Sequence, residues 1–169
     1  HPPKPNRRGS SAAADVNKSQ VEYLIDALWN GSAFGGSQGP GADDAGPRTD
    51  LTAYAGGNAL AVDALLVLAG YTDGERPREY ARRTLSTLRE KFEDDGSIRH
   101  YEGESAPTLV LDDQVHTVAA GVRAAQVLGD DDALSMARRV ADRTVSELAG
   151  DDGAFRDGPA SGPGLLDRP

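Results

Sequence analysis

The chain has 169 residues, 38% hydrophobic and 27% charged, enough for one globular domain with its own core. Its net charge of −9 and pI near 4.7, with no basic stripe, exclude a nucleic-acid binder, which needs a basic face to displace counterions. The absence of Cys excludes disulfides, thiol nucleophiles and thiolate metal sites.

Residues 1–14 are rich in Pro, Ser, Ala and Arg and read as a linker or disordered tail, with one domain over 15–169. Five helices are predicted after it. The first covers Asp15 to Trp29, where Val21, Leu24, Ile25 and Leu28 fall on one apolar face. Gly and Pro in "NGSAFGGSQGPGADDAGP" break it.

The second helix is expected over Thr52 to Gly70, with Thr49 or Asp50 as its cap. It is apolar or small on most sides. The third, Pro77 to Phe92, sets Tyr80, Ala81, Leu85, Leu88 and Phe92 against a charged back. The fourth, Leu111 to Leu128, is again apolar and small after its first turn. The fifth, Asp132 to Leu148, lines up Leu134, Ala137, Ala141, Val145 and Leu148. Helices two and four should therefore be buried on several sides, and helices one, three and five should face water.

Each charged helix ends in a similar turn: "NGSAFGGSQG" from Asn30, "DDGSIRHYEG" from Asp94 and "DDGAFRDGP" from Asp151. "ARR" recurs at Ala81 and Ala137, an offset of 137 − 81 = 56, and "DDG" at Asp94 and Asp151, an offset of 151 − 94 = 57. The pattern is a repeated αα-hairpin. Gly takes positive φ in the turn, and the apolar residue after it (Phe34, Ile98 or Phe155) folds back to plug the hairpin end. The three turns and the starts of helices two and four should lie at one end of the stack.

Stacked αα-hairpins with "DG-x-aromatic" turns resemble an (α/α)6 toroid, the fold of N-acylglucosamine 2-epimerases and six-hairpin glycosidases. The fold class expected is all-α, a partial (α/α)6 toroid. Three segments, "RTDLTAYAGGNALAVDALLVLAG", "LVLDDQVHTVAAGVRAAQVLGDD" and "DDGAFRDGPASGPGLLDRP", resemble the helical portion of the thioredoxin-domain family DUF255. In that family the first segment reads like "ILTSWNGLMIAALA". Asn58 matches its Asn, while Gly57 and Ala59 replace the flanking Trp and Gly. The second resembles "LDDYAFLIEGLL", so Asp112 and Asp113 match and Gln114 replaces the Tyr. The resemblance implies part of a toroid, with the thioredoxin domain and other hairpins outside this sequence. Exposed hairpin ends are then expected, or a homodimer covering them, with few contacts for Leu165 and Leu166.

Asn58 sits within an apolar stripe, so its amide needs a partner: a neighbouring turn, or a ligand at the toroid mouth. Asp112 and Asp113 suit a helix N-terminus, whose dipole favours acids. The functional reading makes one of them a general base or a sugar-hydroxyl acceptor, with His116, four residues after Asp112, as proton shuttle. Adjacent residues on a helix point about 100° apart, so a second carboxylate must come from elsewhere, such as Asp50. Tyr54 is the aromatic expected beside these groups, and a small carbohydrate the expected ligand. His100 reads as a solvated turn residue.

No metal or cofactor is expected. "GSQGPGAD" lacks the Lys of a phosphate loop, and "GDDDAL" reads as a helix cap rather than a calcium loop. No apolar run approaches the ~20 residues of a membrane span, and the start carries no secretion signal, so a soluble cytoplasmic protein is expected. Lys occurs only at Lys4, Lys18 and Lys91 against 15 Arg, an acidic, Lys-poor balance resembling proteins of salt-loving archaea. A high-GC genome is the alternative. The reaction stays open between epimerase-like and hydrolase-like, beside a non-catalytic helical scaffold or protein-binding domain.

Overall fold

The computed structural model describes residues 19–40 and 48–159. The expected tail over 1–14, the start of the first helix, and Leu165 and Leu166 lie outside the described residues. Residues 19–28 form the described part of α1. A two-stranded antiparallel ribbon follows, β1 (Ser37–Gly39) and β2 (Arg48–Asp50), which the sequence reading did not anticipate. The remaining helices are α2 (Ala55–Thr72), α3 (Glu75–Glu90), α4 (Leu111–Leu128) and α5 (Asp131–Leu148). Each lies within a few residues of its expected span.

Two hairpins carry the architecture. α2 turns into α3 through Asp73, which adopts left-handed φ, and Gly74. α4 turns into α5 through Gly129, also left-handed, and Asp130, whose carboxylate caps the Ala133 N–H as the "GDDDAL" reading expected. α2 packs against α3 and α4, and α4 packs against α2 and α5. α2 and α4 thus form the inner layer and α3 and α5 the outer one. One core joins them, built from Ala59, Val62, Leu66, Leu85, Leu88, Ile98, Ala120 and Val140. Each large aliphatic buried there contributes about 1.5–3 kcal/mol.

Among the described helices, α2 is the one long and apolar enough to cross a membrane by length and hydropathy. Its packing between α3 and α4 is that of a core helix.

Two expectations need correction. α4, expected to be buried on several sides, is covered by α2 and α5 but bare on a further flank, where Val115 and Val122 are 51% and 38% exposed and no described element covers them. On α5 the buried stripe is Ala133, Ala137, Val140, Thr144 and Leu148, so Val145 faces outward. The stripe is rotated because α5 meets α4 through small residues near its start.

The three turns share a bridge and a return bond to the helix end. Trp29 bridges Phe34, Phe92 bridges Ile98, and Ala149 bridges Phe155. In each, one outer N–H reaches back to the helix end: Gly35 to Leu28, Arg99 to Lys91, Arg156 to Leu148. Gly31, Gly96 and Gly153 all take positive φ, 108°, 91° and 83°, which a side chain would strain.

The "ARR" copies serve these turns. Arg83 donates to the Gly31 carbonyl and lies over Trp29, while Arg139 donates to the Asp94 carbonyl and lies over Phe92. The first two turns also meet the inner-helix starts, at Asn58 of α2 and Gln114 of α4, as the repeat requires.

Candidate functional site

Asn58 takes the structural role weighed for it. Its Oδ1 accepts the Phe34 N–H at 2.8 Å, and its Nδ2 donates to the Phe34 carbonyl at 2.9 Å and to the Tyr54 carbonyl at 2.9 Å. Gln114 repeats the clasp one hairpin later, an offset of 114 − 58 = 56. Its Oε1 accepts from the Ile98 N–H at 3.0 Å and its Nε2 donates to the Ile98 carbonyl at 3.2 Å. Both amides are buried, so an unpaired partner would be costly. The sequence reading treated Gln114 only as a replacement for Tyr and missed this.

The chemistry gathers where α2 and α4 begin. α2 has no side-chain cap of its own. Its first N–H groups are met from other elements instead: Ala55 N–H donates to the His100 carbonyl at 2.8 Å, and Gly56 N–H donates to Asp113 Oδ1 at 2.7 Å. Asp50, expected as a cap, instead accepts the Thr52 N–H at 2.9 Å on the ribbon side, and those bonds to Thr52 hold its carboxyl below the usual range.

Asp113 is 1% exposed, and its other oxygen, Oδ2, lies 2.8 Å from His100 Nδ1. Burial pushes its carboxyl up, against the opposing pull of His100 and the Gly56 N–H. Gly56 makes room for this arrangement, since a Cβ there would stand 2.9 Å from both Asp112 Oδ2 and Asp113 Oδ1.

His100 is therefore not the solvated turn residue expected. Its ring is half-buried, tied to Asp113, and set against Tyr54 with centroids 5.1 Å apart and Tyr101 at 5.5 Å. The backbone bends it there through the Arg99–Thr108 bridge and the His100 N–H bond to Pro107. With Nδ1 turned to the carboxylate, Nε2 is the ring nitrogen left to act as a base.

Asp112 and His116 do share a face, 3.3 Å apart at the rim, with Asp112 largely exposed. Of the residues expected to act together, Asp113 and Tyr54 meet His100, Asp112 pairs with His116, and Asp50 lies beside Tyr54 at Gly36. Asn58 instead faces a cavity of about 270 Å³ between α1 and α2, lined by Val21, Leu24, Gly57, Ala61 and Tyr54 among others. Among the described residues, no group of three or more His, Asp or Glu is arranged to hold a metal ion.

No family profile matches the sequence, and no curated protein matches it. Solved structures do. The Lin0763 protein of Listeria innocua matches 90% of this chain and 44% of its own, with 15% identity and a TM-score of 0.67. A cellobiose 2-epimerase from Spirochaeta thermophila matches 92% and 44%, at 15% identity and TM-score 0.63. An unsaturated glucuronyl hydrolase from Bacillus sp. GL1, responsible for degradation of glycosaminoglycan, matches 82% and 42%, at 12% identity and TM-score 0.62. The fold is that of the α/α toroids, and the chain spans less than half the length of these structures.

Proposed function

We propose that this chain is part of the helical toroid of a carbohydrate-active protein, and that His100, held by Asp113, is its acid–base group. The observation that carries the reading is the Asp113 carboxylate, buried yet shared between the α2 N-terminus and the His100 ring. A buried acid that fixes an imidazole's orientation leaves the outer nitrogen to exchange a proton with a ligand. Tyr54 and Tyr101 pack beside the His100 ring and offer apolar ring surface suited to a sugar. Asp112, His116 and Asp50 supply hydroxyl acceptors around them. Proton transfer at a sugar carbon or at a glycosidic oxygen both fit, so the reaction is epimerase-like or hydrolase-like.

The parent is proposed to be a cytoplasmic thioredoxin-domain protein of the DUF255 type from a salt-loving archaeon. Support for it comes from the segment resemblance and the Asp-rich, Lys-poor composition.

A second reading, a non-catalytic scaffold, is favoured by one observation. Asn58, the residue matching the family motif, is engaged by Phe34 and Tyr54 rather than turned to a ligand. Titration of the protein with cellobiose and with an unsaturated uronate disaccharide, followed by amide and ring NMR shifts, separates the two. The carbohydrate reading expects saturable shifts at Tyr54, His100 and Tyr101 that His100→Gln abolishes. No shift with either sugar at about 10 mM, a concentration that reveals even weak affinities, leaves the scaffold reading.

A further inference from the structure

The repeat assigns a role to a surface that the described chain leaves open. Residues 56 apart correspond between α2 and α4, as Asn58 and Gln114 show. On α2, the flank of Gly56, Ala59, Asp63 and Leu66 is the one α4 covers. Gly56 adjoins Asp112 and Asp113, Asp63 pairs with Arg123 at 2.8 Å, and Ala59 and Leu66 are fully buried. The corresponding α4 residues are Asp112, Val115, Ala119 and Val122, all exposed. Beyond Asp112, the flank of α4 that would receive the next inner helix is thus apolar, and no described element covers it.

The turn beside it is open in the same sense. Phe34 and Ile98 each have their N–H and carbonyl clasped by a carboxamide on the fourth residue of the following inner helix. Phe155 occupies the same place in the third turn and is 47% exposed. Among the described residues, nothing clasps its N–H or carbonyl. One difference stands against strict repetition: Ala149 replaces the aromatic that Arg83 and Arg139 cover in the other turns.

We propose that the α4 flank (Val115, Ala119, Val122) and the Phe155 backbone edge form a docking surface for an α-helix with two features. The helix carries an Asn or Gln as its fourth residue, to clasp Phe155. It presents small or apolar residues toward α4, as α2 does at Gly57, Leu60 and Ala64 on the side away from α4. A second copy of the described chain does not fit, because its two clasping amides, Asn58 and Gln114, are already engaged. The occupant is a helix of the same repeat pattern from outside the described chain. The inference rests on the toroid reading for the direction of the stack, not on the sugar chemistry, so the disaccharide titration and the test below fail independently.

The probe is a synthetic peptide of the chain's own α2 sequence, residues 54–72, stapled on its α3-facing side so that it is helical, and therefore carrying a free Asn58. It is titrated into the full chain, with binding read by anisotropy and the Phe155 and Val122 amide shifts read by NMR. Saturable binding is expected, with Phe155 N–H shifting and gaining protection from exchange. The Asn58→Leu peptide is expected to bind about tenfold more weakly, the loss of a bidentate clasp to a partly desolvated backbone. Val122→Asp and, separately, Phe155→Pro in the chain are expected to weaken binding by about tenfold or more, with unchanged circular dichroism. Absence of binding at about 1 mM peptide overturns the proposal. So does binding that is indifferent to Asn58→Leu and Val122→Asp, which is apolar adhesion. Shifts confined to Phe34 or the α1–α2 cavity also overturn it, since the peptide then occupies a different seat.

Discussion

The second and third turns of the molecule are nearly the same peptide with different surroundings. Asp94–Arg99 and Asp151–Arg156 share "DDG", the positive-φ Gly, the bridge and the N–H back to the helix end. The second turn is held by three helices: its His100 carbonyl takes the Ala55 N–H of α2, Gln114 of α4 clasps Ile98, and Arg139 and Arg143 of α5 reach Asp94 and Asp95. Among the described residues the third is held by one, through the Leu111 N–H of α4 on the Asp157 carbonyl. Ile98 is consequently 0% exposed and Phe155 47%. Local sequence sets the shape of the turn, whereas the helices that dock on it set whether its apolar residue is core.

The sharpest way to break that comparison is to truncate both plugs. Ile98→Ala is expected to cost about 2–5 kcal/mol in urea unfolding, a filled core site becoming a cavity. Phe155→Ala is expected to stay within about 0.5–1 kcal/mol, although Phe is the larger side chain. Equal losses would mean that both turns are packed alike. The clasp comes next. Gln114→Leu strands the Ile98 N–H and carbonyl, at about 1–3 kcal/mol for each buried group. Gln114→Asn keeps the carboxamide and should recover part of it, since Asn58 makes the same clasp from the equivalent position of α2.

Two adjacent glycines sharpen the picture at the mouth. Gly56→Ala drives a methyl against Asp112 and Asp113 and is expected to destabilise by about 1–3 kcal/mol, and to shift the His100 ring resonances. Gly57→Ala meets nothing within 4 Å and is expected to stabilise α2 by up to about 1 kcal/mol. The smallest effect concerns pH. The Asp113 carboxyl titrates higher folded than unfolded, so the native state binds more protons above the ordinary Asp value of 3.8. Its contribution to stability therefore falls as pH rises from there through the raised folded value. Asp113→Asn should remove that slope from the urea midpoints measured above the ordinary Asp value of 3.8.

The helices were legible because their apolar residues recur at helical spacing, and the hairpin repeat was legible because "DDG" and "ARR" return at nearly the same offset. The plug role of Phe34 and Ile98 followed from their place after the Gly. What the sequence hid were contacts made by irregular backbone. His100 reaches Asp113, 13 residues on, only because the segment folds over Arg99 and Thr108, and no periodicity announces that. The pairing of Asn58 with Phe34, 24 residues apart, was readable as a need for some partner but not as this partner. Phe155 looked like Ile98 in sequence, and the missing neighbour makes it different. The Ser37–Gly39 ribbon, rich in Gly and polar residues, carries no alternating apolar pattern to reveal it.

The central claim is that each turn is completed by the inner helix after it, and that the third turn has no such helix among the described residues. Hydrogen exchange at three backbone amides tests it most directly. Phe34 and Ile98 N–H, clasped by Asn58 and Gln114, should exchange only through large-scale opening, and should lose that protection in Asn58→Leu and Gln114→Leu respectively. The Phe155 N–H should exchange near the unprotected rate. Comparable protection of all three amides would contradict the account.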